Sequence, residues 1–123
     1  MECPDLNYVH VEVYPMNTEF EACIRACNKC AVACETCASA CLQENNVAMM
    51  ADCIRLDRDC ADACRMAAAL MARESVYAGA FCNLCAKICD DCAKECAKHD
   101  AEHCQDCAAL CHECAEECRR MAA

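Results

Sequence analysis

Glycine and proline are nearly missing from this chain, with one Gly and two Pro among 123 residues. Disordered tails and flexible linkers are rich in both, so their scarcity excludes a low-complexity chain and favours long, uninterrupted elements. Large apolar side chains are scarce as well. Val, Ile, Leu and Phe together number 17, and there is no Trp. That share lies under the ~20% at which composition warns of disorder, so these residues alone cannot build an ordinary core. Positive charge is in deficit: 11 Lys and Arg stand against 21 Asp and Glu, a net charge of −10 with His neutral. A nucleic-acid partner and an anionic membrane surface are both excluded, because each would repel such a chain. No apolar run approaches the ~20 residues of a membrane span. Met1-Glu2-Cys3-Pro4-Asp5 offers neither a basic n-region nor an apolar h-region, so the expected compartment is the cytoplasm.

Cysteine is what the sequence has in plenty: 20 of 123 residues, beside 25 Ala. In a secreted mini-protein such a count means a disulfide framework, but a reducing cytoplasm opposes one. The core must be made largely of cysteine.

The length allows one domain. Residues 1–17 differ from the rest. Tyr8-Val9-His10-Val11-Glu12-Val13-Tyr14 alternates with period two and stops at Pro15, which predicts an extended N-terminal arm. From residue 18 the pattern is helical. Thr18-Glu19-Phe20-Glu21 is a capping box that opens a helix running to about Gln43. Glu44-Asn45-Asn46 is a turn supplying an N-cap for a second helix, to about Arg73. Ser75 caps a third helix ending near Lys98, and Asp100 a fourth ending near Arg119-Arg120, where basic side chains suit a helix C-terminus. Turns this short force neighbouring helices to run antiparallel. The expected fold is all-α: an up-down-up-down four-helix bundle over residues 18–123. Gly79, inside the third helix, marks close helix packing.

The cysteines fall in register with those helices. The first carries Cys23, Cys27, Cys30, Cys34, Cys37 and Cys41, in alternating steps of four and three, the pattern of a helix seam. The third carries Cys82, Cys85, Cys89, Cys92 and Cys96, and the fourth Cys104, Cys107, Cys111, Cys114 and Cys118. The second is sparser, with Cys53, Cys60 and Cys64, and Asp57 occupies the seam position between the first two. These 19 cysteines therefore line the bundle axis, and only Cys3 lies outside the helices. Filling a core with so many small thiols makes poor use of burial at roughly 25 cal/mol per Å², since Leu would bury far more. Disulfides within one helix are ruled out by geometry. Residues three or four apart hold their Cβ atoms ~5–6 Å apart, against the ~3.8 Å a disulfide needs.

The same spacing suits a metal bridge, where two sulfurs on one ion lie ~4.6 Å apart for a metal–sulfur bond of ~2.3 Å. Each C-x-x-C or C-x-x-x-C becomes a two-thiolate clip, and the chain holds six of the first and eight of the second. All-thiolate sites select Cu(I), zinc or iron–sulfur. Zinc favours closed tetrahedra on turns, and iron–sulfur clusters favour loop cysteines. A helical stripe giving two ligands per clip suits Cu(I). Two thiolates on one Cu(I) leave a negative charge in a low-dielectric core, which bridging thiolates remove, so a large cluster is favoured over isolated sites.

On these cysteine stripes the chain resembles the bacterial copper storage proteins, in their cytosolic branch, over about residues 18–120. The resemblance implies a four-helix bundle holding many Cu(I) ions on cysteine pairs, assembled as a homotetramer, with storage and detoxification as its role and no catalysis. A copper chaperone is one candidate donor, on which the sequence itself is silent.

Antiparallel order gathers Met49, Met50, His99 and His103 at one end of the bundle, and Phe20, Leu70, Met71, Tyr77 and Phe81 at the other. Thioether and imidazole are both Cu(I) ligands, so the first end is the expected mouth, as it is in the family the chain resembles. The expected metal residues are then the 19 helical cysteines with Met49, Met50, His99, His103 and Asp57. For Asp57 two roles stay open, accepting hydrogen bonds from a neighbouring helix or touching a metal. His112 is expected to face outward. Two rival functions also stay open: a zinc or general soft-metal thiolate buffer resembling metallothionein, and a thiol redox or sensor protein, which would need exposed cysteines of low pKa.

Overall fold

A computed structural model describes residues 18–122 of the chain. The expected arm over 1–17, Cys3, and the Thr18 side chain of the capping box lie outside the described residues. The rest folds as four helices: α1 (Thr18–Cys41), α2 (Ala51–Ala72), α3 (Ala78–Ala97) and α4 (Glu102–Ala122), with a single 3-10 turn, Val47–Met50, leading into α2. α1 packs on α2 and α4, and α3 packs on the same two, so the helices form a square with one shared axis. This is the up-down-up-down bundle. Among the described residues, no helix is long and apolar enough to cross a membrane.

The helix ends depart from the expected caps in instructive ways. Asn46 does not cap α2 with its side chain. Its carbonyl accepts from Met49 N–H at 2.9 Å and its amide lies 3.6 Å from Met49 Sδ. A tight 3-10 turn takes the first free N–H with a main-chain oxygen, and it delivers Met50 into the core at 3% exposure. Ser75 accepts from Tyr77 N–H at 3.1 Å, but α3 starts only at Ala78, so the serine closes the turn ahead of the helix. Asp100 precedes α4 by two residues. There Gln105 reaches back instead, donating from Nε2 to the carbonyls of Ala97 (3.2 Å) and His99 (2.6 Å) and so satisfying the end of α3. α2 ends in a Schellman motif: Ser75 N–H bonds Leu70 O at 2.9 Å and Glu74 N–H bonds Met71 O at 3.0 Å. Glu74 holds the left-handed position, φ 51°, that glycine usually takes.

Gly79 does not interrupt α3. A Cβ there would stand 3.4 Å from the Met121 carbonyl oxygen, so α3 and the end of α4 lie in close contact at this point. The buried core includes the 19 cysteines together with Ala31, Ala61, Ala67, Ala86 and Ala115. Small side chains let the four backbones approach closely, and the space between them is lined with sulfur.

Candidate metal centre

Every cysteine of the four stripes points inward, and none is more than 1% exposed. The seam register does this: alternating steps of three and four keep one line of each helix facing the axis. Asp57 is buried just as completely, in the α2 position where the other helices carry a thiol.

The sulfurs form a continuous column. From the end holding Phe20 and Phe81 it runs Cys23–Cys118 (3.8 Å), Cys118–Cys27 (3.7 Å), Cys27–Cys114 (3.7 Å) and Cys114–Cys64 (3.8 Å). It continues Cys64–Cys89 (3.7 Å), Cys89–Cys60 (3.6 Å), Cys60–Cys30 (3.7 Å), Cys30–Cys111 (3.6 Å) and Cys111–Cys34 (3.5 Å). Cys34–Cys107 (3.8 Å) then leads to Asp57. Its Oδ1 accepts from the thiols of Cys92, Cys96 and Cys107 at 3.3 Å each, and Oδ2 from Cys53 at 3.8 Å. Beyond it Cys96–Cys53 (3.4 Å), Cys53–Cys41 (4.0 Å) and Cys41–Cys104 (3.9 Å) reach the far end. All these are contacts, far outside a disulfide bond of ~2.05 Å.

Within a helix the sulfurs that meet are four residues apart: Cys30–Cys34, Cys37–Cys41, Cys60–Cys64, Cys85–Cys89, Cys92–Cys96, Cys107–Cys111 and Cys114–Cys118, at 3.8–4.0 Å. The two thiols of a C-x-x-C belong to successive levels of the column and meet partners on other helices. Four-sulfur groups result, such as Cys30, Cys34, Cys60 and Cys111, whose ligand atoms all lie within 4.8 Å of one another. Neighbouring groups share edges: Cys30 and Cys60 recur with Cys64 and Cys89, and Cys34 and Cys111 with Cys92 and Cys107. A shared edge means a sulfur positioned to bridge two ions.

At the mouth end of the column burial disfavours the charged form of several of these groups. Burial pushes the Cys41 thiol up, and carries Cys104 to about 11. Burial, then the charge of Cys107, raises the Asp57 carboxyl to about 8. A metal that binds here has to displace protons.

At the mouth the four expected residues divide. His103 Nδ1 lies 3.5 Å from Cys37 Sγ, 3.5 Å from Cys104 Sγ and 3.9 Å from Cys41 Sγ, while Nε2 lies 2.9 Å from Glu44 Oε1. His99 turns Nε2 to Glu95 at 3.0 Å and lines a mouth cavity of about 290 Å³ with Met49, Met50 and Glu44. Met50 faces inward, whereas Met49 is 71% exposed. Glu44 and Glu95 escaped sequence reasoning. Glu95 sits four residues before His99 and was findable from helical spacing. Glu44 meets His103 only through the tertiary fold. At the other end Phe20 and Phe81 pack against the core and Met71 is buried, but Tyr77 is 70% exposed and closes nothing. It sits in the turn before α3, outside the seam register. His112 faces outward as expected, 3.2 Å from Glu116.

The family model described as Copper storage protein matches residues 16–123. The chain belongs to the copper storage protein family. Among curated relatives, the uncharacterized cysteine-rich protein YhjQ of Bacillus subtilis is 50% identical over 103 residues, covering 84% of this chain and 95% of that protein. Among solved structures, Cu(I)-bound copper storage protein BsCsp3 is 50% identical with a TM-score of 0.82, over 85% of this chain and 99% of that one. The copper storage protein Ccsp of Streptomyces lividans, loaded with 10 copper equivalents, is 38% identical with a TM-score of 0.84, over 91% and 94% of the two chains. The four-helix bundle expected from the helical pattern and short turns is thus the fold of this family.

Proposed function

We propose that this copper storage family member sequesters many Cu(I) ions on the thiolates of its 19 helical cysteines, for storage and detoxification in the cytosol. The observation that carries this reading is the unbroken sulfur column with shared edges. Bridging thiolates bring the ratio toward one Cu(I) per cysteine and cancel the charge that isolated sites would accumulate in the core. The copper-loaded relatives support it. Asp57 and His103 Nδ1 serve as additional ligands, the first close to the mouth end of the column and the second at that end. Met49, Met50 and His99 line the mouth through which Cu(I) arrives from a donor chaperone. Storage suits such a core better than catalysis, because each of the 19 helical cysteines is enclosed. A homotetramer is the expected assembly, by the family resemblance, and light scattering of the reduced protein tests it.

The contacts of 3.4–4.0 Å are closer than the ~4.6 Å of two sulfurs opposed across a linear ion and match the ~3.8 Å edge of a tetrahedron. That observation favours a second reading, a zinc-type thiolate buffer. Small rotamer changes separate the two, and the copper-loaded relatives favour copper. Anaerobic titration of the reduced protein with Cu(I), and separately with Zn(II), against a competing chelator tests both. Many tightly held Cu(I) with few Zn(II) is the expected result; the reverse overturns the proposal.

A further inference from the structure

His99, His103 and His112 each place Nε2 near a glutamate, but only His103 finds its glutamate in another element. His99 meets Glu95 and His112 meets Glu116 one helical turn away. His103, in the first turn of α4, meets Glu44 of the turn after α1, 59 residues distant in sequence, at 2.9 Å. It is also the histidine whose second nitrogen faces sulfur, with Nδ1 within 3.9 Å of Cys37, Cys41 and Cys104.

We propose that Glu44 is a positioning residue for Cu(I) uptake, holding His103 as the tautomer whose Nδ1 lone pair faces the terminal thiols. An ionised carboxylate accepts hydrogen bonds and donates none, so Nε2 carries the ring proton and Nδ1 is left free to bind. The bond also fixes the plane of the ring, which otherwise turns about its bond to Cβ. This is the arrangement that orients imidazole ligands in metal proteins generally, where the carboxylate behind the ring raises its basicity and is worth 10–100-fold in affinity or activity. Because Glu44 itself belongs to the wall of the mouth cavity, the turn that forms the mouth also sets the first ligand beyond it.

The inference rests on the copper-storage reading for its kinetic part and is independent of it for its spectroscopic part. The test compares the parent, Glu44→Ala, Glu44→Gln and His103→Ala. Ring ¹⁵N shifts of His103, measured without copper, should show an Nε2–H tautomer in the parent and a mixture in Glu44→Ala. Glu44→Gln, whose carbonyl still accepts, should keep most of the parent pattern. Stopped-flow uptake from a Cu(I)–chelator complex should slow about tenfold in Glu44→Ala. Adding Glu44→Ala to His103→Ala should change nothing further. Unchanged ring shifts in Glu44→Ala overturn the proposal, and so does an equal slowing in the His103→Ala background, which would make Glu44 a plain surface charge. Absence of Cu(I) uptake by the parent would overturn the storage reading instead, and the ring shifts would still decide the role of Glu44.

Discussion

Asp57 replaces a thiol in the α2 stripe, and its complete burial has a cost that depends on pH. The carboxyl titrates near 3.8 when free and near 8 in the bundle, raised first by burial and then by the charge of Cys107. Between those values the folded chain holds a proton that the unfolded chain has lost. The folded state therefore binds more protons, and stability falls as pH rises through this window, by at most about 1.4 kcal/mol per pH unit. Urea unfolding of the reduced, copper-free protein should show this decline from pH 4 to 8. In Asp57→Asn it should flatten, and an equally steep decline in that variant would assign the effect to other groups. The two mouth histidines also separate at this scale. Only His103 touches sulfur, so His103→Ala should slow Cu(I) uptake about tenfold, and His99→Ala far less. Stopped-flow uptake by the two variants checks this, and equal slowing would return His99 to the same rank.

The helices take their stability from short side chains packed closely, so their ends matter. Glu74 occupies a left-handed position at the close of α2, which costs a residue with a Cβ roughly 1 kcal/mol relative to glycine. Glu74→Gly should stabilise the copper-free bundle by about that amount in urea unfolding, and a loss of stability would show that the Glu74 side chain makes a compensating interaction. The helical stripes were legible from sequence because the steps of three and four, Cys23 to Cys41 above all, admit only one face of a helix. Asp57 was legible as a seam position for the same reason. The ends were not. Ser75 and Asn46 are good cap residues, but where a helix begins is decided by which N–H groups the turn leaves unpaired, and by the pull of Met50 into the core. The mouth was legible as a set of residues at one end. Its division was not, because the pairing of His103 with Glu44 depends on how α4 packs beside the α1–α2 turn.

For the molecule as a whole, the same small side chains that admit so much sulfur leave little apolar area to bury. The copper-free bundle should be only moderately stable. Metal that binds the folded state alone stabilises it by linkage, about 2.7 kcal/mol for a site at a hundredfold excess of free ion over its Kd. Calorimetry at rising Cu(I) should show the melting point climbing with each addition. A constant midpoint would place copper outside the fold. The central claim, that the column is one shared cluster, is tested most directly by titrating the reduced protein anaerobically with Cu(I) against a competing chelator while counting the protons released. Shared thiolates predict uptake of more than about ten ions per chain, with continued proton release as the buried thiols give way. Saturation at about three or four ions would contradict it, for that is the capacity of separate four-sulfur sites.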